Sequence, residues 1–493
     1  MSRSDREFYT DPTRLAEGFL HAAYIWEPPR EGEPAGDDDA LAPLPTAGQA
    51  DYTLRWWRGD FYRYEAGRYS PISPGDMQRR VVGHLQRTNQ RIGTADGTDD
   101  YVRITTGQIA NILLALSGTE GVHLPEDRTL DSWPDGRQRC GITTLSFANG
   151  LLMLDDSDRP LRVGHTPRFF TLTRLPYAYD PEARCPRWDA FLDDVMEGDA
   201  DRVTLLQQWA GYLLTADTRQ QKFLLIAGEG RNGKTVFTTL LERMLGEDNV
   251  SHVPLSQFAS RFSLAATLGQ RLNSTSESMH GLDELAETVL KAYTSGDRMT
   301  FERKYREPIH AHPTAKVMIS TNQLPQFADR SQGIWRRLLY VPFERVVGED
   351  EQNPHLIDAL TRELGGIFNW AWRGLLSLRA DGGFLAPAAC RRAVERYRCD
   401  VNPARTFLLD NYVAALEYEG LPTAEVYQSY VRWCEANGYR PLNAANFGKE
   451  VKRAFPTMQK TRPCEAGRRL PLYQGLAVME GSEVAHAAWS ALP

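Results

Sequence analysis

The segment that most constrains this chain is a glycine-rich run that follows a short apolar stretch. Residues 223–227 read FLLIA, and residues 228–235 read GEGRNGKT, which satisfies the pattern G-x-x-x-x-G-K-[ST] in full. Glycine lets the backbone turn tightly so that its N–H groups converge on a phosphate, and a helix that begins at the lysine points its positive dipole end at the same phosphate. The alternative is a chance glycine-rich turn, which the strand–loop–helix context argues against. The predicted nucleotide-binding residues are Gly228, Glu229, Gly230, Arg231, Asn232, Gly233, Lys234 and Thr235.

Two side chains of this run have distinct expected roles. Lys234 should reach the β- and γ-phosphates of ATP, and the Thr235 hydroxyl should hold Mg²⁺. Apolar residues at helical spacing follow between positions 236 and 245, as expected for a helix that packs on a sheet. We therefore expect an α/β P-loop core with ATP and Mg²⁺ as cofactors.

Length and composition indicate several domains. A chain of 493 residues exceeds what one hydrophobic core organises, and 25% charged with 42% hydrophobic residues is ordinary for soluble protein. No apolar run approaches the ~20 residues of a membrane span. Six scattered cysteines without a C-x-x-C pattern favour free thiols over disulfides or zinc ligands. These features favour a cytoplasmic protein without a membrane partner.

Composition also suggests the domain boundaries. Residues 31–47 are rich in Glu, Asp, Pro, Gly and Ala, which predicts a solvated linker. Before the linker, apolar residues between positions 15 and 24 predict one short amphipathic helix. The expected domains are residues 1–50 (helix and acidic linker), 51–200 (a helical or mixed collar-like domain), 201–380 (the ATPase domain) and 400–478 (a basic C-terminal domain).

A P-loop alone does not distinguish kinases, GTPases and motors, so the downstream acid matters. Residues 270–277 read QRLNSTSE, and a strand that ends in a carboxylate is what Mg²⁺ coordination and activation of the attacking water need. Glu277 is therefore the candidate, and an exposed carboxylate at a helix end is the alternative. Asp283 and Glu284 are rival acids, although no apolar run leads into them.

Two further stretches place polar side chains beside buried strands. Residues 316–322 read KVMISTN, an apolar strand ending in Asn322, whose amide is suited to orienting a water at the γ-phosphate. Residues 335–343 read WRRLLYVPF, so Arg336 and Arg337 precede another buried strand. Arginines there can reach the γ-phosphate of a neighbouring subunit, as an arginine finger does. For at least one of the two, a structural salt bridge is the alternative.

The order of these motifs closely resembles that of superfamily-three helicases. Within them the chain resembles the phage and plasmid primase-helicases related to the poxvirus replication helicase, over roughly residues 50–475. Residues 165–181, HTPRFFTLTRLPYAYDP, resemble the helical domain that precedes the ATPase in that family. The ordered motifs are GEGRNGKT (228–235), SE (276–277), SGDRMTFERKYREP (295–308), PTAKVMISTNQLP (313–325) and WRRLLYVPF (335–343).

The resemblance implies a hexameric ring that hydrolyses ATP between subunits and moves 3′ to 5′ on single-stranded DNA. It makes Arg337 the first choice for the arginine finger and Arg336 the second. One departure is Ser276 in place of a second carboxylate before the Walker B acid, which bears on Mg²⁺ ligation. The Walker A, Walker B and sensor roles fall to Lys234 with Thr235, to Glu277 and to Asn322.

In the same family a DNA-contacting hairpin lies in the pore of the ring, between the Walker B acid and the sensor strand. Residues 301–306, FERKYR, supply it here. Arg303, Lys304 and Arg306 offer phosphate contacts, and Tyr305 can lie against a sugar or base of single-stranded DNA. An ordinary charged hairpin turn is the alternative.

A basic patch near the C-terminus contrasts with the net charge of −7 for the whole chain. Residues 443–475 hold seven Lys or Arg against two Glu. Expected helices at 424–434 and 443–455, followed by strand-like pieces at 458–462 and 468–473, resemble the winged-helix domain of the same family. The patch indicates duplex DNA, and a solvated face on a structural cap is the alternative. The candidate contacts are Lys449, Lys452, Arg453, Arg468 and Arg469.

The expected fold is an α/β P-loop ATPase core, AAA+-like and of the superfamily-three type, with an N-terminal mainly helical domain and a C-terminal winged-helix domain. The expected function is ATP-driven DNA unwinding in replication of a phage, plasmid or integrated element, in a bacterial host. The residues before the family-like region are too few for a polymerase fold, so a separate primase is expected as partner. The alternative of another class is a DNA-binding initiator or defence ATPase that remodels DNA without processive unwinding. A metabolic P-loop kinase fits the asparagine and arginine pattern less well.

Overall fold

The computed structural model describes residues 11–26, 51–96, 103–133, 142–155, 160–276, 283–327, 332–415, 420–465 and 468–480. The chain divides into two compact units, residues 1–323 with 332–387, and residues 324–331 with 388–493. Within the described ranges, no helix is long and apolar enough to cross a bilayer.

The first unit begins with a capped helix, α1 (Pro12–Ala23). The Asp11 carboxylate accepts a hydrogen bond from the Thr13 amide at 2.9 Å, and proline in the first turn needs no N–H partner. Its apolar face, which includes Phe19, is buried. This confirms the amphipathic helix expected before the linker, whose residues 31–47 lie outside the described ranges.

A three-stranded antiparallel meander and two helices follow α1. The connection between its first two strands is Arg58–Gly59, with φ of 52° and 81°, the conformation that a tight two-residue hairpin requires. Apolar residues of the helices and the meander form one core. The elements are β1 (Leu54–Trp57), β2 (Asp60–Glu65), β3 (Arg68–Ile72), α2 (Pro74–Asp96) and α3 (Thr106–Gly118).

A second antiparallel sheet and two helices complete the part before the ATPase core. Because two three-stranded sheets lie in this part, the N-terminal region is mixed rather than mainly helical. Residues 168–175, RFFTLTRL, are rich in β-forming residues, and their sequence predicts a strand. This prediction is wrong: Phe170 is buried and forms one isolated bridge to Ser132, without a ladder. The elements are β4 (Thr143–Phe147), β5 (Gly150–Leu154), β6 (Leu161–Val163), α4 (Pro186–Val195) and α5 (Ala200–Leu213).

A five-stranded parallel sheet forms the centre of the first unit. Its apolar strands are buried, as expected for a sheet covered on both faces. The elements are β7 (Phe223–Ala227), α6 (Lys234–Leu245), β8 (Val250–Ser251), β9 (Leu272–Ser276), α7 (Glu284–Ser295), β10 (Met299–Arg303), β11 (Arg306–Ala311), β12 (Lys316–Thr321), α8 (Gln332–Trp335) and β13 (Leu338–Pro342). The sheet has the order β13-β7-β12-β9-β8, while β10 and β11 form a separate antiparallel hairpin. A mixed α/β architecture with this central sheet agrees with the expected P-loop core.

Asn273 explains how β9 tolerates polar residues inside the sheet. Its side chain is fully buried, accepts hydrogen bonds from the Val253 amide (2.8 Å) and the Ser251 hydroxyl (2.9 Å), and donates to the Val253 carbonyl (2.9 Å). A buried amide satisfied in this way fastens the edge of the sheet.

Two helices, α9 (Leu356–Thr361) and α10 (Leu364–Asp381), close the first unit. α10 packs on α5 with its backbone in close approach. A Cβ built on Gly211 would lie 2.3 Å from the Leu375 nitrogen, and one on Gly374 would lie 2.0 Å from the Gln207 carbonyl oxygen. Only glycine permits this approach.

The second unit combines helices with short strands around an aromatic core. The rings of Tyr430 and Phe447 stack at 4.4 Å, and Phe407 packs against both. The expected helices at 424–434 and 443–455 are confirmed. The elements are α11 (Ala388–Asp400), α12 (Pro403–Asn411), β14 (Tyr412–Ala414), β15 (Gly420–Pro422), α13 (Thr423–Ala436), α14 (Ala444–Ala454), β16 (Gln459–Thr461), β17 (Cys464–Glu465), β18 (Arg468–Arg469), β19 (Leu472–Gln474) and β20 (Leu476–Val478). β15, β19 and β16 form one sheet in that order.

Candidate nucleotide site and nucleic-acid interface

The glycine-rich loop joins β7 to α6 in a conformation that ordinary residues avoid. Gly230, Arg231 and Gly233 have φ of 108°, 49° and 81°. Gly233 is the N-cap of α6 and supplies no side-chain hydrogen bond to the first turn. The amide end of this helix therefore opens on the loop, as phosphate-binding loops require.

Gly228 and Asn232 fix the loop against the neighbouring strand β13. The Asn232 side chain is buried and donates to the Phe343 carbonyl at 3.0 Å. A Cβ on Gly228 would lie 2.1 Å from both the Asn232 Nδ2 and the Phe343 oxygen. The glycine is therefore needed for this packing, and the asparagine has a structural reason to be present in the motif.

Lys234 lies inside the loop that precedes it. Its side chain is 5% exposed, and Nζ donates to the Gly228 carbonyl (2.7 Å) and to Asn232 Oδ1 (2.9 Å). Burial lowers the pKa of this ammonium group. Thr235 and Glu229 are exposed at the same end of the strand–loop–helix element. A buried cation, an uncapped helix end and an adjacent hydroxyl fit the phosphates of a nucleotide with its Mg²⁺.

The sequence-predicted sensor lies beside this loop. β12 pairs with β7 in parallel so that Thr321 is opposite Ala227, and the Gly228 amide donates to the Thr321 carbonyl at 3.4 Å. Asn322 follows directly and is exposed. The structure therefore brings Asn322 to the edge of the sheet where the phosphate loop begins.

The predicted Walker B acid, Glu277, lies outside the described residues. The strand that leads to it, β9, pairs with β12 up to Ser276, so its end lies at the same sheet edge. Of the rival acids, Asp283 accepts a hydrogen bond from the Leu285 amide at 3.4 Å and is the N-cap of α7. Glu284 is exposed in the first turn of that helix.

The two arginines before β13 have different surroundings. Arg337 is 7% exposed and donates to the Gly333 carbonyl at 2.6 Å and to the Ser295 hydroxyl, so it joins the start of β13 to the end of α7. Burial, and then the neighbouring Arg336, lower the pKa of the Arg337 guanidinium. Arg336 is exposed. Of the two adjacent arginines, Arg337 is therefore buried in contacts within the chain, and Arg336 is presented to solvent.

The hairpin of β10 and β11 presents a two-residue tip. Tyr305 is 92% exposed with φ of 62°, and the Lys304 Nζ lies 5.1 Å from the centre of its ring. The flanking arginines are engaged within the chain: Arg303 Nη1 lies 2.7 Å from Asp60 Oδ2, and Arg306 pairs with the other oxygen of the same carboxylate. Of the predicted contacts, Lys304 and Tyr305 are presented to solvent, and Arg303 is held against β2.

Two of the predicted basic residues of the second unit, Lys449 and Lys452, line a shallow hollow of about 370 Å³ formed by α14, β16 and β19. Lys449 and Lys460 are exposed at its edge. Lys452, also lining it, donates to the Pro456 (2.8 Å) and Met458 (2.6 Å) carbonyls.

The remaining predicted contacts of the second unit are Arg453, Arg468 and Arg469. Arg453 pairs with Glu450 inside α14. Arg468 and Arg469 form β18, which pairs with β17. The structure therefore brings Lys449 and Lys452 together at the hollow and adds Lys460.

Sequence reasoning missed a buried charged cluster on the side of the sheet opposite the loop. Arg271, just before β9, pairs with Asp131 at 2.8 Å, and both side chains are nearly buried. Lys316, at the start of β12, is 3% exposed, donates to the Thr215 carbonyl and lies 4.8 Å from the centre of the Tyr212 ring. Burial, and then Arg271, lower the pKa of Lys316 well below its ordinary value. In the sequence, the one sign of this cluster is Lys316 itself, a lysine at the start of an otherwise apolar strand.

Three family profiles match successive parts of the chain, each over less than half of its length. The profile described as "D5 N terminal like" matches residues 138–197, which include the segment 165–181. The profile of a "Family of unknown function (DUF5906)" matches residues 226–337, from the phosphate loop to the arginine pair. The profile of the RFX DNA-binding domain matches residues 402–479.

Two individual relatives match separate parts of the chain, and one solved structure aligns with most of it. A protein of Acanthamoeba polyphaga mimivirus whose name marks it as a candidate helicase is 24% identical over 276 residues, covering 50% of this chain and 28% of that protein. Mouse transcription factor RFX4 is 36% identical over 77 residues, covering 16% of this chain and 10% of that protein. The solved C-terminal region of NrS-1 aligns with a TM-score of 0.48 at 11% identity, covering 86% of this chain and 97% of that one.

These similarities bear on function at a coarse level. The D5-type profile and the viral relative support a D5-like primase-helicase relationship and a helicase-like function. The RFX matches support DNA as a partner. The matched region is under one third of the viral relative, so the activity of that whole protein does not transfer directly.

Proposed function

We propose that this chain is an ATP-dependent DNA helicase of the superfamily-three type. One observation carries the proposal: the phosphate loop and Asn322 meet at one edge of a parallel sheet, on neighbouring strands. In P-loop motors that edge is where a bound nucleotide meets the residue that orients the attacking water. The helicase-named relative and the RFX-type match supply the DNA context.

The nucleotide site is assigned residue by residue from the chain's own contacts. Lys234 exchanges its bonds to the loop for bonds to the β- and γ-phosphates, which neutralise its charge better than a carbonyl does. Thr235 and Glu277 hold Mg²⁺, which supplies Lewis-acid stabilisation when bound. Asn322 orients the attacking water. Glu229, Arg231 and the loop glycines surround the phosphates with backbone N–H groups.

We assign the arginine finger to Arg336. Arg337, the first choice from the sequence, donates two hydrogen bonds within its own chain, and withdrawing a buried guanidinium would leave their acceptors unpaired. Arg336 is exposed one residue away. The finger acts in trans in a ring of chains, which we propose to be a hexamer.

Two DNA contacts follow from the same proposal. Lys304 and Tyr305 meet single-stranded DNA in the ring, through phosphate attraction and ring stacking respectively, and movement is 3′ to 5′. The second unit is a winged-helix domain that meets duplex DNA. Its contacts are Lys449, Lys452, Arg453, Arg468 and Arg469, with Lys460 added by the structure. We place the activity in replication of a phage, plasmid or integrated element in a bacterial cytoplasm, with a separate primase as partner.

Strand displacement on tailed duplexes tests the proposal directly. ATP turnover should rise on addition of single-stranded DNA, and a duplex with a 3′ tail should be unwound while one with a 5′ tail is not. ATP turnover and duplex binding without strand displacement would instead identify a remodelling initiator or defence ATPase. ATP turnover that does not change on addition of DNA, in a chain that also fails to bind DNA, would contradict both the helicase proposal and the remodelling alternative. Native mass spectrometry with an ATP analogue gives the subunit number.

A further inference from the structure

Two hairpins of the first unit that are far apart in sequence meet at one carboxylate. Asp60 opens β2, directly after the Arg58–Gly59 turn of the first hairpin. Its two oxygens bind Arg303 and Arg306, the last residue of β10 and the first of β11. One acidic side chain therefore holds both arms of the second hairpin at its tip.

The contact is largely withdrawn from water. Asp60 is 8% exposed, and the side chains of Arg303 and Arg306 are 16% and 39% exposed. Arg303 also donates to the Arg58 carbonyl at 3.0 Å, which ties the turn itself into the contact. Removing one partner of such an arrangement leaves a buried charge without compensation, which is far more costly than loss of a surface ion pair.

The first hairpin is itself restrained. Arg58 lies over the Trp57 ring at 4.2 Å and donates through Nε to the Glu126 carbonyl at 3.0 Å. The acidic anchor therefore belongs to a fixed part of the N-terminal sheet. The second hairpin, in contrast, leaves its own tip uncovered, with Tyr305 almost fully exposed.

We infer that Asp60 is a positioning residue for the β10–β11 hairpin: it fastens both arms to the N-terminal meander and leaves the Lys304–Tyr305 tip as the segment that meets a polynucleotide. In this inference Arg303 and Arg306 bind Asp60 and hold the hairpin in place, and they do not serve as phosphate ligands. The hairpin then keeps its place relative to the meander instead of moving alone within the ATPase core. The polynucleotide part of this inference rests on the proposed function.

Limited trypsin digestion of the full chain tests the fastening without DNA. Trypsin cuts after Arg303, Lys304 and Arg306 only when the hairpin opens, and loss of a charged hydrogen bond should raise that cleavage rate by about tenfold or more in Asp60→Asn. Glu302→Gln is the matched control, because it removes an exposed ion pair with Arg261 from the same hairpin. If Asp60→Asn does not fold, Arg306→Gln removes the more exposed partner and keeps the Lys304 cleavage site.

DNA-dependent ATP turnover separates positioning from a general structural role. In Asp60→Asn, the single-stranded DNA concentration for half-maximal stimulation should rise several-fold while basal turnover, measured well below the thermal midpoint, stays unchanged. Asp60→Glu should restore part of the lost DNA response. If the trypsin cleavage rates of Asp60→Asn and Arg306→Gln both stay within about twofold of wild type, the effect is smaller than the loss of one charged hydrogen bond would give, and that outcome overturns the inference. So does raised cleavage with unchanged DNA half-saturation. If DNA fails to stimulate even the wild-type chain, the helicase proposal fails, while cleavage still decides whether Asp60 fastens the hairpin.

Discussion

Asn232 and Phe343 are joined by a hydrogen bond of 3.0 Å, from the side-chain amide of one to the backbone carbonyl of the other. The bond links the phosphate loop to the end of β13, whose first residue follows the arginine pair directly. Asn232 also accepts from Lys234, so its two polar atoms connect the loop's cation to the neighbouring strand.

Lys234→Ala should abolish ATP turnover and unwinding while the fold persists. The substitution removes the cation for the β- and γ-phosphates and leaves the Gly228 carbonyl and Asn232 Oδ1 without that one donor, a local loss next to the phosphate loop. Steady-state ATP turnover with circular dichroism provides the measurement. Lys291→Ala, on α7 and outside the proposed site, is the control. Near-wild-type turnover in Lys234→Ala would remove the site assignment.

Gly228→Ala should impair both the loop and nucleotide binding. The new Cβ would lie 2.1 Å from the Asn232 amide and from the Phe343 oxygen, so the Asn232–Phe343 bond must break or the strand must move. Gly75→Ala places a methyl group where nothing lies within 4 Å and is the matched control. Titration with a fluorescent ATP analogue should show weaker binding by the Gly228 variant alone.

The arginine pair should respond in opposite ways to substitution. Arg336→Ala should keep thermal stability and ATP binding but lose turnover. Arg337→Ala should lower stability by about 1.5–3 kcal/mol, the range for hydrogen bonds to a charged group. Mixing Arg336→Ala with Lys234→Ala chains should restore some activity at mixed interfaces. If mixtures of Arg337→Ala with Lys234→Ala chains regain activity and mixtures of Arg336→Ala with Lys234→Ala chains do not, the arginine finger is Arg337.

Lys316 should make stability depend on pH. Its folded pKa lies below the unfolded value of about 10.4, so the unfolded chain binds more protons between the two values and stability rises with pH across that window. Lys316→Met removes this dependence. The urea midpoint of Lys316→Met minus that of the wild type should therefore decrease steadily as pH rises from neutral toward 10. A difference that stays constant would show that Lys316 titrates normally in the folded chain.

Lys449→Ala combined with Lys460→Ala should weaken duplex binding and flatten its dependence on salt. Each lost phosphate contact lowers the slope of log affinity against log salt by about 0.9 for duplex DNA. Arg440→Ala, exposed in the same unit but away from the hollow, is the control. Basal ATP turnover should stay unchanged in both. An unaltered slope in the double variant would mean that the hollow faces something other than duplex DNA.

Local features of this chain were predictable because their physical cause lies within a few residues. The phosphate loop follows from glycines and one lysine after an apolar strand, and the helices at 424–434 and 443–455 follow from apolar spacing. The strand expected at 168–175 failed because buried aromatic residues such as Phe170 also occur in irregular loops, where no neighbouring ladder is present.

Contacts between distant segments could not be read from the sequence. Asp60 looks like an ordinary turn acid, and its partners Arg303 and Arg306 lie in another hairpin. Arg336 and Arg337 are identical in type and adjacent, so only packing shows that one is buried. Asn273 is polar for a buried strand, and only the fold shows that Ser251 and Val253 satisfy its side chain with hydrogen bonds.

The glycine contact between α5 and α10 has a genetic consequence. At Gly211 and Gly374 even a methyl group would push two backbones apart, so the smallest coding change to alanine at either position is a large structural change. We expect a random mutagenesis screen to recover temperature-sensitive alleles at these positions, which touch neither nucleotide nor DNA. Such alleles would give conditional control over the chain while every side chain of the proposed site stays intact.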